Sequence, residues 1–186
     1  NKVTTSNYSE AGYYKLGTAN PKLFGGFSTS LIWKNFDLNA VFGYSIGGQI
    51  YNYSRQEYDS DGTYTDRNQM KLHDGWSRWE KPGDIATHPV AKYNNSDKGN
   101  SASSRYLEDS DYLKLRSLSL GYNFNLKNYG IQNLRVSLSG ENLFTLTDYS
   151  GVDPEIPASS GKVMGTAGAA VYPSVRRFMF GLNVTF

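Results

Sequence analysis

Apolar and polar residues alternate with a period of two in five segments of the chain. The clearest segment is residues 177–186, whose apolar face carries Phe178, Phe180, Leu182, Val184 and Phe186. Such alternation is typical of a β-strand with one apolar and one polar face. These ten residues, rising about 3.3 Å each, span about 33 Å. At a tilt of about 45°, that length crosses most of the hydrocarbon core of a bilayer.

The connections between the predicted strands alternate between short and long. The predicted strands are residues 24–33, 36–46, 112–124, 134–144 and 174–186; the short connections are 34–35 and 125–133, and the long ones are 47–111 and 147–172. In an antiparallel sheet, this order places every short turn at one end and every long loop at the other. Outer-membrane barrels have that asymmetry, with long loops on the extracellular side. The pattern therefore predicts an all-β fold, an antiparallel transmembrane β-barrel.

A soluble antiparallel sandwich also contains alternating strands and is the alternative interpretation of the pattern. Aromatic residues at the strand ends favour the barrel, because barrels carry aromatic girdles at both membrane interfaces. These residues are Trp33, Phe36, Phe124 and Phe186. The polar faces carry Asp, Asn, Ser, Gly and Arg, which suit a water-filled lumen. On this interpretation the lumen-facing candidates include Asp37, Asn39 and Arg135.

Composition excludes several classes of protein. The 186 residues carry 19 basic and 17 acidic side chains, so the formal charge of +2 gives no reason to expect a nucleic-acid partner. The absence of cysteine excludes a disulfide scaffold, a cysteine zinc site and a thiol nucleophile. Aromatic residues make up 15% of the chain, which argues against disorder. No apolar run is long enough for a membrane-spanning helix, whereas barrel strands give only a weak hydropathy signal.

No catalytic constellation is evident, so the sequence predicts neither an enzyme nor a cofactor. The two histidines, His73 and His88, lie in the long polar loop without a motif that marks a nucleophile or a metal site. Residues 59–66 offer carboxylate oxygens around Gly62 and resemble part of a calcium loop. They lack the downstream bidentate glutamate of an EF-hand. An Asp-Gly turn is the favoured interpretation, and no metal site is predicted.

Aromatic residues are frequent in the loop 47–111 and are candidates for contact with a substrate or a partner. An exposed ring can stack on a sugar or pack against another protein. The alternative is that the rings pack on each other and hold the loop together, which is favoured for Trp76 and Trp79. The candidates are Tyr58, Tyr64, Trp76, Trp79 and Tyr93.

Five stretches of the chain together resemble the SusC/RagA family of TonB-dependent outer-membrane transporters. They are NPKLFGGFSTSLIWKNFDLNAVFGYSIG (20–47), RWEKPGD (78–84), SSRYLEDSDYLKLRSLSLGYNF (103–124), LRVSLSGENLFTLTDYSGVDPE (134–155) and YPSVRRFMFGLNVTF (172–186). They occur in the order and spacing of the family and cover more than half of the chain. The combination is specific, although each stretch alone is modest evidence.

The resemblance implies that the chain forms the last five strands of a 22-stranded barrel with a plugged lumen. The plug domain and the segment that contacts the TonB complex are expected outside this chain. It also implies uptake of oligosaccharides or peptides through the outer membrane of a Bacteroidetes-type Gram-negative bacterium, with a SusD-like surface lipoprotein over the extracellular loops. The terminal Phe186 resembles the signal that the barrel assembly machinery reads. No metal or cofactor is implied.

One alternative function remains open, a soluble or surface β-domain that binds glycans through Trp76, Trp79 and the loop tyrosines. Such a domain would have to bury Phe178, Phe180 and Leu182 in a core of its own. A general porin, which needs neither plug nor lipoprotein, is disfavoured by the family resemblance.

Overall fold

A computed structural model describes residues 7–95, 99–126, 130–155, 166–167 and 174–186 of the chain. Its strands are β1 (Leu23–Trp33), β2 (Phe36–Ile46), β3 (Gln49–Asn52), β4 (Leu107–Asp109), β5 (Tyr112–Phe124), β6 (Asn133–Leu146), β7 (Thr166–Ala167) and β8 (Arg177–Thr185). A short helix, α1, covers Tyr53–Tyr58, and single 3₁₀ turns occur at Tyr8–Glu10 and Ser104–Tyr106. None of the helices in the described ranges is long and apolar enough to cross a membrane.

Five long strands form one antiparallel sheet in the order β1-β2-β5-β6-β8. These strands lie where the sequence pattern predicts strands, and their ends differ from the predicted ones by at most three residues. The sheet is open in this chain, because β1 and β8 are its edges and do not pair with each other. An all-β antiparallel fold is therefore confirmed, whereas a closed barrel is not observed.

The register gathers most of the apolar residues of the five strands on one face, while Phe24, Ile32, Val41 and Met179 lie on the other. Rows of paired residues cross the sheet, and one such row is Leu31, Leu38, Leu120, Leu138 and Phe180. In β8 alone, the side chains of Phe178, Phe180 and Leu182 are 61–71% exposed. A soluble monomer rarely exposes a contiguous apolar patch above about 300–600 Å². This uncovered face suits contact with lipid and counts against a private apolar core.

The two ends of the sheet differ. At the short-turn end, Lys34 and Asn35 connect β1 to β2, and Lys34 has a φ of 54°. At the long-loop end, β2 leads into residues 47–111, and β6 leads into the connection toward β8. Most of the predicted loop 147–172, namely residues 156–165 and 168–172, lies outside the described residues.

Aromatic side chains cluster at the short-turn end of the apolar face. Phe36 lies with its ring centroid 4.4 Å from that of Tyr122, whose ring lies 4.5 Å from Phe124. Trp33 stacks near Phe36, and the Lys34 ammonium lies 4.9 Å from the centre of the Trp33 ring. Rings that combine with a flanking cation are typical of a membrane–water interface.

The long loop 47–111 is not structureless. Strand β3 pairs with β4 in antiparallel fashion and with β7 in parallel fashion, which makes a second, three-stranded sheet. Helix α1 follows β3 directly, and the Asn52 side chain accepts a hydrogen bond from the Arg55 N–H at the helix start. The polar composition of the loop gave no sign of this sheet, because its strands are only two to four residues long.

Candidate functional site at the long-loop end

Two aspartates, Asp59 and Asp61, lie at the centre of the loop 47–111, and both side chains are fully buried. Asp59 follows the last turn of α1, and its N–H donates to the Arg55 carbonyl. Asp61 and Gly62 then form a turn with φ values of 54° and 88°. A side chain at Gly62 would collide with the Lys92 backbone, whose N–H donates to the Asp61 carbonyl at 3.0 Å. The Asp-Gly turn is therefore held by a distant part of the same loop.

Arginines from three parts of the chain surround the two carboxylates. Arg78 Nη1 donates to Asp61 Oδ1 at 2.6 Å, and Arg105 Nη1 donates to Asp61 Oδ2 at 2.5 Å. Arg105 Nη2 also donates to Asp59 Oδ2 at 3.2 Å, and Arg55 Nε lies 3.5 Å from the same oxygen. Burying a carboxylate removes its hydration and is costly unless such partners compensate for the loss. We call these five residues together with His88 the buried ion cluster.

His88 completes the cluster, and only 2% of its surface is exposed. Its Nε2 lies 2.7 Å from Asp59 Oδ2, and its Nδ1 lies 2.7 Å from Thr87 Oγ1. Burial lowers the pKa of His88 because it disfavours the charged imidazolium, and the charges of Arg105 and Arg55 act in the same direction, against the influence of Asp59. A neutral His88 donates from Nε2 to the carboxylate and adds no further charge to the cluster.

The buried ion cluster engages three of the oxygens that the calcium hypothesis would require, namely both oxygens of Asp61 and Oδ2 of Asp59. Guanidinium groups bind the carboxylates of Asp59 and Asp61 directly. Within the described part of the chain, no group of three or more histidines or acidic residues is placed to hold a metal ion. Positive guanidinium groups would repel a cation at this position. The geometry thus supports an Asp-Gly turn rather than a calcium loop, and the cluster can position the loop 47–111.

The candidate aromatic residues separate into packed and open ones. The Trp76 ring lies 5.0 Å from the His88 ring and 4.3 Å from the Arg55 guanidinium, so Trp76 packs on the buried ion cluster. The backbone N–H of Trp79 donates to the His88 carbonyl at 2.8 Å, while the Trp79 ring is partly exposed. Tyr58, Tyr64 and Tyr93 are exposed, and Tyr93 reaches 87%. In the described part of the chain, these rings line neither the cleft beside Lys114 nor the cleft beside Tyr8.

The two long loops are tied to each other by Glu108. Its Oε1 accepts hydrogen bonds from Arg55 Nη1 at 3.1 Å and from Ser150 Oγ at 2.7 Å. Its Oε2 accepts from the Ser150 N–H at 2.8 Å. Next to this contact, Tyr149 packs on Ile50, and burial raises the pKa of Tyr149 to about 12. The segment 147–155 is therefore joined to the buried ion cluster through Glu108.

A second tie connects the segment 147–155 to the polar face of the sheet. Lys114 is only 3% exposed, and its Nζ donates to Asp153 Oδ2 and Glu155 Oε2, both at 3.0 Å. Arg116 also pairs with Glu155. Burial of each carboxyl acts to raise the pKa of Asp153 and of Glu155, but hydrogen bonds and nearby charges, including the Lys114 ammonium, outweigh it and lower both pKa values. The Asp-Pro-Glu turn is thus anchored over the polar face of β5.

Asp37 and Arg135 form an ion pair on the polar face near the short-turn end. Arg135 Nη1 and Nη2 donate to the two Asp37 oxygens at 2.5 and 2.8 Å. The pair crosses β5 at Gly121, where a Cβ atom would lie 2.6 Å from Asp37 Oδ1. Asn39 lies on the same face, opposite Ser119. The three lumen-facing candidates therefore share one face, and only two of them touch.

The curated proteins that resemble this chain in sequence, as described below, are all TonB-dependent receptors. A TonB-dependent receptor of Formosa agariphila, P3, is 34% identical over 181 residues, which cover 92% of this chain. A second receptor of that organism, P39, is 30% identical over 172 residues. The TonB-dependent receptor SusC of Bacteroides thetaiotaomicron is 24% identical over 165 residues. No protein-family model matches the chain. The chain is related to the TonB-dependent receptors of the SusC/RagA type.

Solved structures agree with this relationship. The RagAB peptide importer in its closed-closed state superposes with a TM-score of 0.72 at 28% identity, over all of this chain and 20% of the importer chain. Another RagAB peptide transporter structure has a TM-score of 0.70 at 24% identity. The chain spans only 15–17% of the length of the curated relatives named above. The SusC/RagA resemblance is confirmed, and these relatives are named as receptors and transporters rather than enzymes.

The residues that organise this SusC/RagA-like loop end were not predicted. Arg55 lay in no motif, Arg78 was noted only within RWEKPGD, and Arg105 and Glu108 were noted only within the stretch 103–124. Arg55 meets Glu108, and Arg78 and Arg105 meet Asp61, across 17–53 residues of sequence. The one feature of the sequence that could have indicated the cluster is the number of charged residues in a loop with few apolar ones. That number does not show which charges pair with each other.

Proposed function

We propose that the full protein is a SusC-like, TonB-dependent nutrient importer of the outer membrane that takes up oligosaccharides or peptides. In this proposal the chain forms the last five strands of a 22-stranded barrel, and a plug domain outside this chain closes the lumen. The TonB complex would act on that other part of the protein. The localisation follows, a multi-pass β-barrel in the outer membrane of a Bacteroidetes-type bacterium.

The observation that carries the proposal is the two-faced sheet. One face presents uncovered apolar side chains from every strand, and the other presents polar residues and the Asp37–Arg135 ion pair. In a bilayer the first face would contact lipid and the second would contact water or the plug. The edges β1 and β8 each have unpaired backbone groups, which further strands of the same barrel would satisfy.

The long-loop end would face the extracellular side and a SusD-like lipoprotein. The support is that the loop 47–111 and the segment 147–155 form one structured body with exposed rings at Tyr58, Tyr64, Trp79 and Tyr93. RagAB, whose structures this chain resembles, is described as a peptide transporter. Phe186, 80% exposed beyond β8, would serve as the barrel assembly signal.

A gel of outer membranes tests the barrel. Unboiled and boiled samples are probed with an antibody against residues 177–186. We expect a band several times heavier than 20.8 kDa that changes mobility on boiling, because closed barrels resist unfolding in detergent. A soluble band near 20.8 kDa without a shift would refute the importer and support the glycan-binding β-domain.

A pull-down tests the partner. The tagged full protein is purified from outer membranes in mild detergent, and the co-purifying proteins are identified by mass spectrometry. We expect a surface lipoprotein in stoichiometric amount. Pure receptor without any lipoprotein would contradict the partner and leave the barrel proposal standing.

A further inference from the structure

An open cleft of about 400 Å³ lies between residues 8–16 and the turn at residues 102–104. Tyr8, Tyr13 and Tyr14 line it together with Ser103 and Ser104. Its volume falls within the usual range of about 300–1,000 Å³ for small-molecule sites. None of the residues that line the cleft is charged, although 19% of the chain is.

One side of the cleft is held in place by hydrogen bonds. The Tyr8 hydroxyl donates to the Ala102 carbonyl at 2.6 Å, which ties the tyrosine segment to the turn. Gln56 Nε2 donates to the Asn100 carbonyl at 2.9 Å, and Arg105 Nη1 donates to the Gly99 carbonyl at 3.3 Å. Because Arg105 belongs to the buried ion cluster, the cluster fixes the position of Ser103 and Ser104.

The chemistry of the cleft suits a neutral sugar. The Tyr13 side chain is fully exposed and Tyr14 is 76% exposed, so both rings are open for stacking. An aromatic ring offers an apolar face to the C–H groups of a pyranose, and tyrosine and serine hydroxyls can both donate to and accept from sugar hydroxyls. A peptide would bring charged termini and side chains, for which this cleft holds no counter-charge.

We propose that this cleft binds an uncharged oligosaccharide at the outer surface of the importer. The inference rests on the proposed function and selects the sugar from its two substrate classes. Tyr13 and Tyr14 supply the stacking surface, and Ser103 and Ser104 supply hydrogen bonds.

Binding to the intact, purified transporter tests the proposal. Maltohexaose, cellohexaose and laminarihexaose serve as neutral probes, and a tryptic digest of casein serves as the peptide probe, each followed by calorimetry. We expect at least one hexaose to bind, with a dissociation constant raised at least tenfold by Tyr13→Ala/Tyr14→Ala. Ile85→Ala, at a fully exposed site outside the cleft, is the control and should leave binding unchanged. If no hexaose binds, or if the parent and the double variant bind it equally well, the proposal that this cleft binds sugar is overturned.

Labelling shows whether the rest of the transporter covers the cleft. This chain has no cysteine, so maleimide labelling of Tyr13→Cys is measured against the unsubstituted protein. We expect labelling on whole cells, and slower labelling when the bound hexaose is present. An unlabelled Tyr13→Cys would mean that another part of the protein occupies the cleft, which overturns the inference. Uptake of peptides alone would refute sugar binding in the cleft and leave the proposed importer standing. Uptake of neither class would refute both proposals.

Discussion

Asp61→Asn is expected to open the loop 47–111 by breaking the buried ion cluster. Removing one partner of a buried ion pair costs about 3–5 kcal/mol, because the opposite charge is left without compensation. Arg78 and Arg105 keep 22% and 17% of their side chains exposed. Since both can regain some hydration, the lower figure of about 3 kcal/mol applies. At about 1.4 kcal/mol per factor of ten, the open form becomes about 150-fold more populated.

Trypsin cleavage of the loop, in outer-membrane vesicles that hold the full protein, measures this population. When closing is faster than cleavage, the cleavage rate follows the fraction of open loop. Asp66→Asn is the matched control, because Asp66 is 77% exposed and lies 3.9 Å from Arg67 Nε. An exposed pair of that kind contributes about 1 kcal/mol at most, so cleavage should rise well under tenfold. Equal cleavage rates for the two variants would refute a stabilising role of the cluster.

Three further predictions concern the sheet, the histidine and the chain end. Gly121→Val should displace the ion pair that crosses it and lower the amount of heat-modifiable barrel, whereas an unchanged amount would contradict the close approach. His88 has a lowered folded pKa, so loop stability should be full above its ordinary value of 6.5 and fall as the pH drops below it. Hydrogen exchange at pH 7.5 and 5.5, corrected for intrinsic rates, should show this change in the parent and not in His88→Gln. Deletion of Phe186 should reduce assembled barrel in outer membranes, and unchanged assembly would remove its signal role.

The five long strands were predictable because their signal is local. Each strand of a two-faced sheet must alternate, and this requirement is visible in any window of ten residues. The pattern also carries the register, since a slip by one residue would move an apolar set such as Phe178, Phe180 and Leu182 to the polar face. What the pattern did not reveal is the irregularity at Arg116, where the pairing of β5 with both neighbours shifts.

The loop end was not predictable for the opposite reason. Its organisation depends on long-range contacts, such as Arg55 with Glu108 across 53 residues and Arg78 with Asp61 across 17. No periodicity marks such pairs, and the same charges on an open loop would be hydrated. Trp76 differs from these charged residues, because packing was the favoured interpretation of its ring, and the ring lies against His88 and Arg55.

The long-loop end contains a charged centre and an uncharged edge. The centre consists of the buried ion cluster and the ion pairs of Lys114, and the edge is the cleft lined by Tyr13 and Tyr14. The charged residues of the centre are paired with each other, since Asp59 and Asp61 face arginines and Lys114 faces two carboxylates. Charges that are already paired are poorly suited to recognise a passing ligand, because a ligand would have to displace an existing partner. Recognition is therefore more favourable outside the charged centre, at the exposed rings of Tyr13 and Tyr14 and at Ser103 and Ser104 beside them. By this argument, changes at the centre should alter loop opening, while changes at the edge should alter ligand binding without it.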